Sequence, residues 1–298
     1  MGQAGRLDAD AVGRDEGQET REEGDQQTVA PPILPTSNPM LDSHAHLDAE
    51  EFDPDRPAVI ARARAAGVGE ILCPGITAES SRAAIHLAET HDGLFAAVGI
   101  HPNYAAEADP GDWDALVELA THDRVVAVGE TGLDRHWDFT PIELQRDYFD
   151  RHLRLAQEHD LPLVIHCREA EADLVPMLRE ASARRPLTGV LHAYSGEPSL
   201  ADACLELGLH LGVAGAVTYT NKKFTSLRAV AARVPRDRLL IETDSPYLVP
   251  HPLRGKEKRN EPAHLVHTAR CLAELRGRSV DDLVAATTAN ARRLFRLP

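Results

Sequence analysis

From residue 39 to the end of the chain, short runs of Val, Ile, Leu and Ala alternate with longer stretches whose apolar positions recur at helical spacing. Eight runs have the length and branched, apolar content of buried strands: MLDSHAH, EILCPGI, LFAAVGI, VVAVGE, LPLVIH, GVLHA, HLGVAGA and LLIETD. Helical segments such as ALVELATHD and LQRDYFDRHLRLAQEH lie between them. Eight strand-helix units predict an α/β fold, the (β/α)8 TIM barrel, with a filled interior and chemistry at the C-terminal ends of the strands. An open doubly wound sheet is the competing arrangement, but no GxGxxG follows the first strand to favour it. Residues 1–38 stand outside the pattern: they are rich in Glu, Asp, Gln, Gly and Pro and are expected to be a disordered acidic tail before one barrel domain over 39–298.

A barrel predicts reactive side chains just before the turns, and the chain supplies them. His44 and His46 end strand 1, His101 strand 3, Glu130 strand 4, His166 strand 5, His192 strand 6, and Glu242 and Asp244 strand 8. Any one of these fits a hydrogen-bonded core residue; together they point to one site. Residues two apart on a strand share a face, so His44 and His46 are expected to point inward while Ser43 and Ala45 point outward.

Charge and composition narrow the possibilities. The chain is 43% apolar, 27% charged and carries a formal charge of −15 at pH 7, which disfavours nonspecific binding to nucleic acid or anionic lipid through its whole surface. No apolar run reaches the length of a membrane span, so no membrane association is expected. The four scattered cysteines, Cys73, Cys167, Cys204 and Cys271, form no CxxC pair and suit a reducing cytoplasm.

Histidines and carboxylates converging at a barrel mouth are costly to desolvate without a cation. His44, His46, Glu130, His166, His192 and Asp244 exceed the three protein ligands usual for one catalytic zinc, so two divalent metal ions are expected, with Glu130 as the bridge. His44, His46 and Asp244 are assigned to one metal and His166 and His192 to the other. Four imidazoles favour Zn or Mn, with Mg also possible. Asp244 and Glu242 are candidates for handling the proton of an attacking water, and His101 for donating to developing charge. Arg168 is the candidate phosphate clamp, with a salt bridge to Glu169 or Glu171 as its structural alternative. HPLRGKEKR, His251 to Arg259, is the one dense basic run and is either a nucleic-acid contact or a solvated face. Tyr104, Trp137, Tyr194 and Tyr247 fall in loops where an unpaired base can stack.

The segments DSHAHLD, GIHP, GETGLD, LVIHCREA, GVLHAYSG and LLIETDSPYL occur in order and are followed by RGK and NEP. In these the chain, from about Met40 to Leu297, resembles the TatD family of metal-dependent deoxyribonucleases. GLDRHWDF departs from the aromatic pair that often follows this GLD, and no lysine precedes Lys222 to serve as the carboxylated bridge of related barrel hydrolases. The resemblance implies hydrolysis of phosphodiester bonds, most simply as a 3′-to-5′ deoxyribonuclease acting on single-stranded DNA or 3′ ends; a monomer is the default state, and the cysteine pattern sets the expectation of a cytoplasmic protein. Two other functions compete: a metal-dependent hydrolase of an ester or amide, in aminoacyl-tRNA or a small molecule, and a noncatalytic scaffold that keeps its metals for stability.

Overall fold

The structure, a computed structural model, describes residues 39–298; the expected disordered tail, residues 1–38, lies outside the described residues. Eight parallel strands pair in the order of the chain: β1 (Met40–Asp42), β2 (Val68–Pro74), β3 (Leu94–Val98), β4 (Val125–Asp134), β5 (Leu163–Arg168), β6 (Gly189–Leu191), β7 (His210–Val213) and β8 (Leu239–Ile241). The last strand closes onto the first: Ser43 N–H donates to Ile241 O at 3.1 Å, Asp244 N–H to His44 O at 2.9 Å, and Ala45 bridges Ser245. The expected TIM barrel is therefore present.

The helices α1 (Arg56–Ala65), α2 (Ala78–Thr90), α3 (Asp112–Leu119), α4 (Ile142–His159), α5 (Glu171–Arg184), α6 (Pro198–Glu206) and α7 (Thr225–Arg233) connect successive strands, and α8 (Leu265–Leu275) and α9 (Val280–Phe295) follow the last. Two apolar layers result. Leu41, Leu72, Ala97, Ala127, Val164, Val190 and Leu240 fill the barrel interior, and the helices pack over the opposite faces of the strands. α9 plugs the interior from below with Ala291, Leu294 and Phe295. It is fixed to strand beginnings by Asn290 Nδ2 donating to Leu239 O at 2.9 Å and by a two-pronged Arg292–Glu70 pair, both contacts at 2.9 Å. Among the described residues, this leaves the C-terminal end of the barrel for a site.

Several strands are shorter than the hydrophobic runs suggest. β1 stops at Asp42, β6 at Leu191 and β8 at Ile241, because the chain turns there to form the mouth. That shortening corrects the alternation expected at β1: Leu41 lies in the inner layer and Ser43 points to Glu242, its Oγ donating to Oε2 at 2.9 Å. His44 reaches the centre because the chain leaves the ladder at Ser43. β4 uses a different device. Val128 pairs with Leu163 and Thr131 with Ile165, so one residue is extra on β4, and this bulge turns Glu130 inward where alternation from Ala127 would send it outward. Gly129 makes the bulge possible, with φ of 141° and a position where a Cβ would lie 2.4 Å from Val164 O.

Candidate metal centre

His44 and His46 bring their Nε2 atoms to 3.1 Å from one another, and both face Glu130 Oε2, at 3.3 and 3.4 Å. Asp244 Oδ1 completes this group at 3.7 Å from His44 and 3.8 Å from His46. On the other side Glu130 Oε1 meets His192 Nε2 at 2.8 Å, His166 Nδ1 at 3.0 Å and His101 Nε2 at 3.4 Å. The two oxygens of one carboxylate thus face two separate sets of imidazoles. Glu130 is only 2% exposed.

Among the described residues, three sets of donors lie close enough to share a cation: His44, His46 and Asp244; His44, Glu130 and His192; and His101, Glu130 and His166. The donor set fits a divalent transition ion. Without one, ring nitrogens 3.1 and 3.2 Å apart face each other in the His44–His46 and His166–His192 pairs, and only one nitrogen of each pair can supply a proton.

Burial and proximity pull these groups apart electrostatically. Burial pushes His44 well below the ordinary histidine range, and its stacked neighbour His192, ring centroids 4.0 Å apart, pushes the same way. Burial opposes protonation of His46 too, but the Glu130 carboxylate outweighs it and raises this ring to about 9. Burial likewise works against His166, and the carboxylates of Asp134 and Glu130 carry it to about 9. Burial alone would raise Glu130; the surrounding imidazoles, His192 foremost, hold it well below the carboxylate range.

Around these groups lies a shell of carboxylates that fix their neighbours. Asp134 ends β4 and accepts from His166 Nε2 at 3.3 Å, Asn103 Nδ2 at 3.1 Å and the His136 amide at 2.8 Å. It therefore leaves Nδ1 of His166 turned to Glu130. Asp42 accepts from the Thr243 amide at 2.9 Å, the Thr243 hydroxyl at 2.6 Å and the His44 amide at 3.3 Å, tying the end of β1 to the end of β8. Burial raises its carboxyl to about 8. Sequence reasoning misses both aspartates, although each carries a signal: Asp42 stands two before His44, and Asp134 closes the GETGLD segment.

Glu242 accepts from the Ser43 hydroxyl and the Ala193 amide and lies 3.9 Å from His192 Nδ1; burial raises it to about 7. Gly212 leaves it room, since a Cβ there would fall 2.4 Å from Glu242 Oε2. His101 is fixed by the Asn103 amide donating to its Nδ1 at 3.1 Å, and burial keeps it neutral, down to about 3. Its remaining proton sits on Nε2, directed to Glu130 rather than into open solvent. Arg168 extends from the end of β5 over Trp137, with its guanidinium carbon 5.8 Å from the ring centroid; among the described residues no carboxylate pairs with it.

Two of the loop aromatics are unsuited to stacking a base. Tyr104 and Tyr194 are buried: Tyr194 packs in the outer apolar layer, and Tyr104 lies edge-on to His101 at 6.1 Å. Trp137 and Tyr247 are partly exposed; Trp137 stacks on Phe139 at 5.3 Å, and Tyr247 lies edge-on to His46 at 6.2 Å. In the basic run, Arg259 is engaged by Asp55 at 2.8 and 3.0 Å and by the Phe52 ring.

The chain has relatives among known proteins. The family model for TatD related DNase matches residues 41–296. The chain is 40% identical over 258 residues to YabD of Bacillus subtilis, described as an uncharacterized metal-dependent hydrolase, covering 87% of this chain and 99% of that one. It is 38% identical over 261 residues to the 3′-5′ ssDNA/RNA exonuclease TatD of Pectobacterium carotovorum, covering 87% of this chain and all of its relative. Among solved structures, the TatD homologue YJJV of Escherichia coli superposes with a TM-score of 0.81 at 33% identity, over 87% of this chain and 98% of that one. With the family model spanning the whole barrel and the metal-ligating residue types gathered at its mouth, the chain belongs to the family of TatD-related DNases, metal-dependent hydrolases built on a TIM barrel.

Proposed function

We propose that the protein is a two-metal nuclease that shortens single-stranded nucleic acid, DNA in the first instance, from the 3′ end. One observation carries this: Glu130 presents one oxygen to His44 and His46 and the other to His166 and His192, as a carboxylate bridging two cations would. His44, His46 and Asp244 would hold one ion, His166 and His192 the other, with Zn or Mn favoured over Mg by the imidazoles. Bound there, divalent cations would supply positive charge to a phosphodiester and acidify water.

The chain's own residues supply the rest. Asp244 is the most exposed carboxylate of the cluster, with 12% of its side chain open, and is placed to take a proton from an incoming nucleophile. His101, neutral and donating to Glu130, keeps the bridge carboxylate oriented. Glu242, tied to Ser43 and Ala193, steadies β8 beneath Asp244 and backs His192. Arg168, which pairs with no carboxylate among the described residues and rests on Trp137, would grip a phosphate oxygen. All six ligands come from one chain, which supports a working monomer. The four cysteines are unpaired, in keeping with a cytoplasmic setting.

Asp134 has a separable role. Asp134→Asn is expected to weaken binding of the cation held by His166 by about 10- to 100-fold, because a hydrogen-bonded carboxylate fixes the ring and raises its basicity. Titration of the metal-free protein with Zn or Mn by calorimetry would show one of two binding events weakened; two unchanged events would dismiss the role.

The function is tested with single-stranded DNA labelled at either end, with metal-loaded protein and with chelator. Stepwise, chelator-sensitive shortening from the 3′ end is the expected result. If DNA and RNA both survive while an ester or amide is turned over by the same preparation, the nuclease reading is wrong.

A further inference from the structure

Lysine is rare in this chain, and its placement is uneven: all four, Lys222, Lys223, Lys256 and Lys258, lie in two loops, the first pair after β7 and the second after β8. Every other cation among the 32 Lys and Arg residues is an arginine. Both loops leave the C-terminal ends of their strands, on the face that carries the histidine cluster.

The fold joins the two loops around Tyr219. Its ring meets the Arg254 guanidinium at 4.2 Å and the His251 ring at 5.6 Å, and its hydroxyl donates to Val249 O at 2.8 Å. Thr218 Oγ1 accepts from the His251 amide at 2.8 Å. Lys222, Lys223, Lys256 and Lys258 are all exposed, and among the described residues none is paired with a carboxylate. Segments 220–224 and 251–258 hold one acidic residue between them, Glu257, in a chain whose net charge is −15. The second loop also starts at the site itself: Asp244 leads into it, the Tyr247 amide donates to Asp244 O at 2.8 Å, and the Tyr247 ring lies 6.2 Å from His46.

We propose that this lysine ridge is a track for the phosphodiester backbone of the uncleaved strand, holding it while its terminal nucleotide occupies the histidine cluster. The proposal rests on the nuclease reading and extends it from the scissile bond to the strand behind. A strand that advances after each cut needs partners that exchange readily. Flexible, hydrated ammonium groups meet that need better than the fixed fork of arginine. An acidic protein also requires a local cationic surface to capture a polyanion, and this ridge supplies it.

The test uses the full chain, metal-loaded, with K222A/K223A/K256A/K258A and the matching replacement of all four lysines by Glu. Two readouts are compared: kcat/KM for a single strand of about 20 nucleotides against that for a dinucleotide, and binding of the labelled strand by anisotropy across a salt series. The preference for the long strand is expected to fall by about tenfold or more, and the slope of log affinity on log salt to flatten by up to about 3, at roughly 0.7 for each single-strand phosphate that a lysine no longer neutralises. An unchanged preference and an unchanged slope in the Glu-substituted protein would overturn the track. If the unaltered enzyme cleaves neither substrate, the nuclease reading fails by itself and binding decides the track: loss of the anisotropy change with the Glu replacements supports it, and retained binding refutes it.

Discussion

Glu130→Gln is expected to lower kcat/KM on single-stranded DNA by about 10³-fold or more, a loss of roughly 4 kcal/mol of transition-state stabilisation. The glutamine keeps the size of the side chain and one acceptor oxygen. It replaces the other oxygen with an amide that cannot bind a cation, so only one of the two imidazole sets retains a bridging partner. It also removes the negative charge on which His44, His46, His101, His166 and His192 converge. Metal analysis of the purified variant is the second readout, and a fall from two equivalents to one or fewer is expected. Full activity with two equivalents retained would show that Glu130 does not bridge.

Asp244→Asn is the second large effect, expected at about 10²- to 10⁴-fold in kcat with a much smaller change in thermal stability. Asp244 has φ of 56°, in the left-handed region that Asn adopts readily, so the substitution leaves the backbone unstrained where Ala would not. The side chain is at the open edge of the cluster, and its Oδ1 lies farther from His44 and His46 than Glu130 does. On the proposed mechanism, loss of charge there would remove a proton acceptor and weaken one cation site without emptying the core. A variant that retains kcat and shows only a raised metal requirement would reduce Asp244 to a ligand and leave proton transfer to another group.

The barrel is legible in the sequence because its signal is redundant: eight apolar runs with helices between them make the same statement eight times. The positions of His166 and His192 are legible for a related reason. Val164 and Val190 face the interior, and two residues further along the same strand direction brings each imidazole to the mouth. His44 and Glu130 obey no such count. One reaches the centre because the ladder ends at Ser43, the other because an extra residue enters β4, and both events depend on neighbouring strands that a local pattern does not contain. Asp42 and Asp134 are hidden for a chemical reason: a carboxylate near histidines reads first as a metal ligand, whereas these two act on amides, a hydroxyl and a ring nitrogen turned away from the centre. The lysine ridge is half visible: the run after β8 is dense, but the loop that carries Lys222 and Lys223 is brought beside it by long-range contacts of Tyr219 and Thr218.

The bond between Asp42 and Thr243 spans 201 positions of sequence. During translation the first strand, with His44 and His46, leaves the ribosome long before the eighth, and until Thr243 and Asp244 emerge the barrel has no closing edge and the two histidines lack the Asp244 carboxylate. A growing chain therefore carries no complete cluster of histidines and carboxylates until its last strand is in place. A fragment ending before β8, however well its early strands assemble, would lack both the edge that closes the barrel and the carboxylate that completes the His44–His46 group.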